Sequence, residues 1–433
     1  MVISNCLVIV TMINFALKYN LDTALARGIR QVGIGKYGSK SLTTELVEEC
    51  LRELMSGKPN TLQKGVFFGA LMMKGLSEAE LKLETYLGKH AFSNPVFFLN
   101  KLCPDLPQQL FPIGVKLLNG HSLQVSEAHQ LGDFLLSNEP CETFKGMAVS
   151  ILRVRYETND EYQGLYEAVK SSYTPGFQRH VKTKFPIVQL AEPFDGVEHS
   201  YMITPLLSYF FQERNYNAVT ALSRSSGPKY GLNSHDLYLY MGSWLLADNH
   251  ELLEMNPTFG WVLDQKSLSP ALDEWVDRRR TTIKRPFFAT LEKVLNPCGA
   301  RILVTSVFHI TYQMKMAELA LMAGFDGVMV LKRGLEGGLA PATSKASGLL
   351  CAVRNANGQL FSARFEHDFP AFAMFRTESD DEIEKPTAET NATLIRKYLH
   401  NGHAGYADFD NRVNYAKALY MRGLDWIESQ IGY

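Results

Sequence analysis

The sequence lacks an excess of charge of either sign. Lysine and arginine number 44 against 45 aspartates and glutamates, so the formal net charge is −1. A chain this close to neutrality has no bulk electrostatic attraction toward nucleic acid or an anionic membrane. Any partner of that kind therefore has to be bound by a local patch of cations.

The chain also has few cysteines and no C-x-x-C spacing. Six cysteines are scattered along 433 residues, which argues against a disulfide scaffold and against a zinc site of the usual ligand spacing. No Ser-His-Asp arrangement can be argued either. We interpret the cysteines as free thiols in a reducing, cytoplasmic compartment. They are Cys6, Cys50, Cys103, Cys141, Cys298 and Cys351.

Long apolar runs are missing as well. The apolar segment that begins at Cys6–Val10 is too short for a transmembrane helix and has no basic n-region before it. Two interpretations remain open for this leader, a buried strand or a start codon assigned too early. A chain of this length with 46% hydrophobic residues can bury the cores of two or three domains.

What the sequence does contain is an internal repeat. Ser41–Leu81 aligns without gaps onto Ser122–Tyr162, at a constant offset of 81 residues. Each copy has the pattern of two amphipathic helices around a turn, with a capping residue at the start and a proline-containing break in the middle. Two copies are too few for a solenoid. We therefore interpret them as a duplicated helical unit, separated by a proline-rich connector.

Further along the chain, short apolar strands alternate with helices. Alternation of this kind predicts a mainly parallel sheet flanked by helices. An Asn-Gly pair between Leu350–Arg354 and Leu360–Phe365 predicts a β-hairpin. The acidic segment Glu378–Glu384 is expected to be a solvated loop. The strand candidates are Ile187–Leu190, Asn217–Leu222, Gly260–Leu263, Arg301–Phe308 and Val328–Leu331.

The segments Asn256–Pro297 and Val328–Pro341 carry a resemblance to a known family. The first predicts a strand, a turn at Pro270 and a helix with three consecutive arginines, and it ends on Asn296–Pro297. This order resembles the acceptor-side half of the anthranilate phosphoribosyltransferases, members of glycosyl transferase family 3 with the nucleoside phosphorylase/phosphoribosyltransferase fold. The resemblance implies a helical domain beside an α/β domain, a homodimer through the helical domain, and an acceptor-binding arginine at Arg279.

The resemblance also implies sites for a pyrophosphate, a ribose phosphate and magnesium. The family's glycine loop, whose backbone amides bind phosphate, falls on Asp195–Glu198, where only Gly196 is a glycine. The adjacent Asp-Glu pair that binds magnesium falls on Gly337–Gly338, with Glu336 as the nearest carboxylate. Magnesium is therefore expected only if transferase activity is retained. The other candidates for an anion site are Thr204, Arg224, Ser225, Ser226 and Arg333, with Asp195 and His199 beside them.

A second pattern resembles a branch of paralogues of this family. Pro193–Gly196, Ile203–Leu207 and Arg333–Gly337 match the branch's Pro-x-Tyr-Asn-Gly-type loop, its Leu-Thr-Pro-Leu-Leu segment and its Arg-Gly-x-Glu-Gly segment, although Phe and Asp replace Tyr and Asn. Members of the branch look like homodimers that bind nucleic acid without sequence preference through a basic groove. The candidates for a basic patch or for acceptor contacts are Arg278, Arg279, Arg280, Lys284, Arg285, His309 and Lys332, with Arg179, His180, Lys182 and Lys184 earlier in the chain.

Together these patterns predict an α/β fold, a mainly parallel sheet flanked by helices of the nucleoside phosphorylase/phosphoribosyltransferase type, with a separate all-α helical domain that contains the duplicated unit. The predicted segments are a leader (1–35), two helical copies (36–90 and 119–178) around a connector (91–118), and the α/β domain (183–433). The expected function is binding of nucleic acid or another anionic ligand in or near an interdomain cleft, by a relative whose phosphate and magnesium motifs have diverged. The alternative is an active phosphoribosyl- or glycosyltransferase with a rearranged site. No membrane partner is expected.

Overall fold

The computed structural model describes residues 22–35, 37–226, 231–254, 256–344, 347–354, 357–380, 383 and 385–431, so most of the predicted leader lies outside the described residues. The chain divides into two compact units. A helical unit holds the residues up to 169 together with 274–288, and an α/β unit holds 170–273 and the residues from 289 onward.

The segment 274–288, which the sequence-based boundaries put in the α/β domain, belongs to the helical unit. Trp275 explains this assignment. Its side chain is buried, and its indole N–H donates to the carbonyl of Leu135 at 2.8 Å. Its ring also packs against Phe288, with ring centroids 4.6 Å apart. Burial of so large an aromatic side chain anchors the segment where the ring lies.

The helical unit consists of short amphipathic helices, several of them capped by a polar side chain. Thr43 and Asn60, for example, accept hydrogen bonds from the free backbone N–H groups of the first turns of the helices that follow them. The helices are α1 (Ala24–Val32), α2 (Thr44–Met55), α3 (Thr61–Lys74), α4 (Glu78–Leu81), α5 (Glu84–Leu87), α6 (Pro95–Leu102), α7 (Phe111–Leu118), α8 (Val125–Leu136), α9 (Glu142–Arg155) and α10 (Asn159–Ser171).

The two repeated segments contain the same helices at the same spacing. Helices α2 and α8 begin and end 81 residues apart, and so do α3 and α9. The fully buried Glu80 accepts the backbone N–H of Leu42 at 2.8 Å, and Glu161, also fully buried, accepts that of Leu123 at 2.9 Å. The proline-rich connector between the copies is itself helical, because α6 and α7 lie within it.

The α/β unit is built on a seven-stranded sheet with the order β3-β2-β1-β4-β5-β6-β7. Strands β1 to β5 are parallel, and β6 and β7 add an antiparallel hairpin at one edge. This confirms the predicted mainly parallel sheet and the predicted hairpin. The strands are β1 (Ile187–Ala191), β2 (Asn217–Leu222), β3 (Trp261–Asp264), β4 (Ile302–Val307), β5 (Gly327–Lys332), β6 (Gly348–Arg354) and β7 (Leu360–Glu366).

Helices flank this sheet, and the central strands are buried along almost their whole length, as expected for strands covered on both faces. Among the residues that the structure describes, no helix is long and apolar enough to cross a membrane. The helices are α11 (Thr204–Gln212), α12 (Ser234–Tyr240), α13 (Gln265–Leu268), α14 (Pro270–Thr282), α15 (Phe288–Val294), α16 (Tyr312–Met322), α17 (Ala388–Asn401) and α18 (Ala407–Ile431), of which α14 crosses the division between the units.

The acidic segment is not a freely solvated loop at Asp380. Its carboxylate accepts hydrogen bonds from the backbone N–H of Thr343 at 2.7 Å and from the hydroxyl of Ser344 at 2.5 Å. It also pairs at 2.9 Å with Arg412 of α18, whose side chain is fully buried. Because a buried guanidinium requires a carboxylate partner, the expectation of a solvated loop is wrong at this residue. Residues 381, 382 and 384 lie outside the described part of the chain.

Candidate anion-binding site

Loops at the carboxyl ends of the parallel strands contain the candidate residues of the α/β unit. Open α/β sheets bind their ligands at this edge. The loop after β1 contains Asp195–His199, and the segment after β5 contains Arg333–Glu336. Strand β4 pairs with both β1 and β5, so only one strand separates the origins of these two loops. The side chains in the two loops can therefore meet.

The loop after β1 turns at Gly196, whose φ of +79° lies in the left-handed region. A Cβ atom at this position would lie 2.3 Å from the carbonyl oxygen of Leu232. The next residue, Val197, donates its N–H to the same carbonyl at 2.7 Å. Asp195, the residue before this glycine, is buried, with 3% of its surface exposed. Gly196 therefore sets the path of this loop through its backbone conformation and its close approach to residue 232.

The carboxylate of Glu336 occupies the backbone amides of this loop. The N–H of Glu198 donates to both carboxylate oxygens at 3.0 Å, and the N–H of His199 donates to one of them at 2.5 Å. Glu336 itself has a φ of +51°, which is strained for a residue with a side chain. Successive backbone amides that point at one carboxylate form an anion-binding nest, and here the anion belongs to the chain itself.

A second carboxyl group, that of Glu192, lies buried directly after β1. Burial raises its pKa to about 8, although a hydrogen bond from the backbone N–H of Leu339 opposes the shift. Glu192 is therefore mainly uncharged at neutral pH. Its Oε1 atom has no hydrogen-bond partner among the described residues. The same holds for the buried hydroxyl groups of Ser200, Thr204 and Ser226.

Arg224, predicted to meet an anion after β2, is held by a carboxylate. Its Nε donates to Asp273 at 3.0 and 3.1 Å, and its Nη2 donates to the Asp273 carbonyl at 2.9 Å. Ser225 is half-buried, and the neighbouring Ser226 is buried. Since the ion pair with Asp273 neutralises the guanidinium, this loop contributes little positive charge to an anion site.

The end of β5 contains one paired and one exposed cation. Lys332 is buried and forms an ion pair with Glu366. Arg333 is exposed, and its guanidinium has no ionic partner among the described residues. In the loop after β4, Phe308 is 60% exposed and its ring packs edge-on against the exposed His309, with ring centroids 5.1 Å apart. An exposed aromatic ring near an available arginine is a combination suited to a nucleobase and its phosphate.

Ion pairs also neutralise much of the arginine cluster on α14. Arg278 pairs with Glu142 at 3.2 Å and with Glu274 at 3.0 Å, and Arg280 lies 3.8 Å from Asp277. Arg279 is almost completely buried, with 6% of its surface exposed. The cluster is therefore mostly a paired and buried part of the helical unit rather than an open basic face. Arg285, in the segment that follows, is exposed.

A different group of cations lies around Lys284 in the helical unit. Burial, followed by the nearby positive charges of Arg153 and Arg30, lowers the pKa of the Lys284 ammonium. Lys284 and Arg153 border a shallow pocket that Thr282 and Ser150 also line. Neither Lys284 nor Arg153 has an ion pair with a described carboxylate. Clustered like charges of this kind favour a bound anion.

No group of three His, Cys, Asp or Glu side chains in the described residues could hold a metal ion. Gly337 and Gly338, on which the family's magnesium pair falls, supply no side-chain oxygen.

Asn296 accepts the N–H of Ala300 at 2.7 Å and donates to its carbonyl at 3.0 Å, so it closes a turn. His199 is exposed, with its Nδ1 3.4 Å from the carbonyl of residue 383.

Three residues were missed by the sequence analysis. Glu192 could have been suspected, because a carboxylate directly after a buried parallel strand lies at the ligand-binding edge. Arg153 and Phe308 carry no comparable signal. Arg153 lies on a helix of the second repeat copy, far in sequence from Lys284, and Phe308 has the pattern of the last apolar residue of a strand.

Curated proteins with similar sequences were compared with this chain. No protein-family model matches the chain. Among curated proteins, it is 25% identical over 223 residues to an uncharacterized protein of Aquifex aeolicus, and 25% identical over 224 residues to an anthranilate phosphoribosyltransferase of Deinococcus radiodurans. Each match covers 52% of this chain. The chain spans just under two thirds of the length of these relatives, 66% and 65%.

Solved structures show a similar fold at low sequence identity. Anthranilate phosphoribosyltransferase from Thermus thermophilus is 17% identical, with a TM-score of 0.50 over 73% of this chain and 97% of that one. The enzyme from Saccharomyces cerevisiae, in complex with PRPP and Mg, is 14% identical, with a TM-score of 0.54 over 75% of this chain and 98% of that one. The chain therefore has the fold of the anthranilate phosphoribosyltransferases, which confirms the resemblance to that family seen in the sequence.

Proposed function

We propose that this protein is a diverged anthranilate phosphoribosyltransferase-like protein that binds nucleic acid, and that it does not carry out ordinary phosphoribosyl transfer. The observation that supports this most directly is the carboxylate of Glu336 on the backbone amides of Glu198 and His199. Those amides are the donors that the loop after β1 could offer to a phosphate, and a negatively charged side chain of the chain itself uses them.

The residues present do not fit phosphoribosyl pyrophosphate and magnesium. A pyrophosphate would have to displace Glu336, and it would then lie close to the negative charge that it had displaced. Magnesium prefers several oxygen ligands, commonly carboxylates together with substrate phosphates. Gly337 and Gly338 offer none from their side chains, and the nearby Glu192 is buried and mainly uncharged at neutral pH. No transfer step can therefore be derived for this chain.

Two sets of residues support the binding of nucleic acid. In the helical unit, Lys284 and Arg153 place positive charges together without described carboxylate partners. In the α/β unit, Arg333 is exposed near the carboxyl edge that also presents Phe308 and His309. Cations bind backbone phosphates irrespective of sequence, and an exposed aromatic ring stacks on any base. Single-stranded nucleic acid, whose bases are available for stacking, matches both sets.

A titration with fluorescent single-stranded DNA at low and moderate salt tests this proposal. We expect binding that weakens as salt rises, and a several-fold loss of affinity in Lys284→Gln and in Arg333→Gln. Lys58→Gln is the matched control, because Lys58 is an exposed lysine in the turn between α2 and α3. The control should bind as the unchanged protein does.

Phosphoribosyl pyrophosphate with magnesium is titrated in parallel. Absence of binding in that arm, together with salt-sensitive binding of DNA, supports the proposal. Tight magnesium-dependent binding of the pyrophosphate would reject it and would favour the alternative, a transferase with a rearranged site. DNA binding that is equally strong in all three variants would also count against the cations named here.

A further inference from the structure

The second helices of the two repeat copies pack directly against each other in the helical unit. These helices, α3 and α9, occupy equivalent positions in the repeat, since their bounds differ by 81 residues at both ends. Their contact runs through glycine. A Cβ atom on Gly65 would lie 1.8 Å from the carbonyl oxygen of Thr143, and one on Gly146 would lie 2.2 Å from that of Leu62. The two backbones therefore approach too closely for any side chain at either glycine.

These contacts are reciprocal under the repeat. Gly146 is the equivalent of Gly65, and Thr143 is the equivalent of Leu62, because each pair is 81 residues apart. Gly65 of the first copy thus contacts Thr143 of the second copy. Their equivalents, Gly146 and Leu62, make the same contact in the opposite direction. Reciprocity of this kind defines an isologous interface, the type that joins two identical chains about a twofold axis.

We infer that the helical unit is a pseudo-twofold dimer contained in one chain, in which the second copy is the bound partner of the first. The face formed by α3 is then closed by α9, and neither helix offers that face to another molecule. This assigns a role to the second copy. It also means that any homodimer of the chain, as the family resemblance predicts, has to use a different surface.

One equivalent pair departs from symmetry in a way that favours pairing within the chain. Gly69 of α3 lies where a Cβ would be 2.6 Å from the carbonyl oxygen of Met147. Its equivalent on α9 is Ser150, whose hydroxyl donates to the carbonyl of Val66 at 2.8 Å. One side of the contact thus has a glycine, and the equivalent position on the other side has a serine that adds a hydrogen bond. Each copy is matched to the other copy rather than to itself.

Hydrogen exchange of the full chain, measured at high concentration and after strong dilution, tests the inference. We expect the amides of α3 and α9 to be equally protected at both concentrations, because a pair inside one chain does not dissociate on dilution. Protection of these two helices that falls on dilution would overturn the inference, since it would show that the face pairs between chains.

Thermal melting and sedimentation of variants give two independent tests. Gly69→Leu should lower the melting temperature of the helical unit far more than Met55→Ala, a control at a 60% exposed side chain of α2, and Ser150→Ala should have an intermediate effect. The unchanged chain should sediment at its monomer mass of 48.7 kDa, or as a dimer that all three variants retain. A dimer that Gly69→Leu converts to folded monomer would overturn the inference.

Discussion

Glu192 links the stability of the α/β unit to pH. Burial raises the pKa of its carboxyl group from 4.5 to about 8, so the folded protein retains a proton that the unfolded chain releases near pH 4.5. The stabilising effect of protonation is complete below that pH and is lost as the pH rises through about 8. We expect Glu192→Gln, which keeps an acceptor for the Leu339 N–H, to be more stable than the unchanged protein at pH 8 by roughly 2–4 kcal/mol.

Urea unfolding at pH 5 and pH 8 measures this difference. The advantage of Glu192→Gln should shrink toward pH 5, where the unchanged carboxyl is protonated in the folded protein. Glu254→Gln is the control, because Glu254 is an exposed glutamate of the same unit. If the unchanged protein and Glu192→Gln lost stability equally between the two pH values, Glu192 would not be the titrating group.

Cys141 is the thiol that we expect to react first among the described cysteines. A hydrogen bond with the Cys103 thiol, assisted by the backbone N–H of Phe144 and opposed by burial, lowers the pKa of Cys141 below its ordinary value. Burial instead raises the pKa of Cys50 and of Cys298 to about 12. Because the thiolate is the nucleophile, iodoacetamide at neutral pH should modify Cys141 well before those two.

Peptide mapping of the alkylated protein by mass spectrometry checks this order. Labelling at residue 141 should reach half its maximal rate below pH 9.0, the ordinary thiol value. Cys141→Ser should remove the fast site and leave slow labelling elsewhere among the described cysteines. Equal rates at Cys50 and Cys141 would contradict the prediction.

Glu336 is expected to stabilise the loop after β1 by satisfying its amides. Glu336→Ala leaves the N–H groups of Glu198 and His199 without their acceptor, which should lower the free energy of unfolding by about 1–3 kcal/mol. A free anion could then take the position of the carboxylate. Inorganic phosphate should therefore raise the melting temperature of Glu336→Ala more than that of the unchanged protein, because a ligand of the folded state stabilises by mass action.

Glu198→Ala is the control for this experiment. It removes a negative charge from the loop whose amides are being tested, yet it leaves the amides of residues 198 and 199 bonded to Glu336. Phosphate should have no added effect on this variant. An equal response of the control and Glu336→Ala would show that phosphate acts elsewhere on the protein.

At the scale of whole elements, the pair formed by Asp380 and Arg412 connects the segment after β7 to helix α18. Burial alone would raise the pKa of Asp380, but hydrogen bonds from Ser344 and Arg412 lower it to about 2. The stabilisation from this carboxylate is therefore present above the ordinary value of 3.8 and is lost as the pH falls toward 2. Asp380→Asn should destabilise the protein at neutral pH by about 1–3 kcal/mol, because it removes one of the two described carboxylates that pair with the fully buried Arg412 and leaves Asp408.

Chemical unfolding monitored by tryptophan fluorescence measures the loss. The difference between Asp380→Asn and the unchanged protein should diminish in strong acid, where the Asp380 carboxyl is protonated and is as uncharged as the asparagine that replaces it. Glu378→Gln, an exposed change two residues away, should be close to neutral. A similar loss in both variants would mean that the net charge of the segment matters rather than the pair.

Sequence periodicity was sufficient to place most elements. The predicted strand at Asn217–Leu222 has the observed bounds, and the hairpin strands differ by one or two residues. These segments are short, apolar and bounded by polar turns, which is the pattern that strand formation requires. The domain assignment of 274–288 followed sequence order instead. It differs from the observed division because Trp275 is buried in the helical unit, which no local pattern encodes.

At the scale of the whole molecule, a net charge of −1 limits how strongly nucleic acid can be bound. Within the described part of the arginine cluster, Arg278 and Arg280 form ion pairs and Arg279 is buried, so this cluster adds little to the binding of phosphates. If Arg153, Lys284 and Arg333 each displace a counterion from single-stranded DNA, the logarithm of the binding constant should fall with the logarithm of salt concentration with a slope of roughly −2. A slope several times steeper would require a basic surface other than these residues.

The sequence by itself determined the repeat, the mainly parallel sheet and the family resemblance, because these depend on periodicity and on motifs that are local along the chain. Only the tertiary structure decided which candidate charges remain available. Arg224, Arg278 and Lys332 have carboxylate partners between 34 and 136 residues away in the chain. The acceptor of the loop amides, Glu336, lies 138 residues from Glu198. Pairing of this kind depends on distances in space, since the strength of an ion pair or a hydrogen bond falls with separation and not with sequence position.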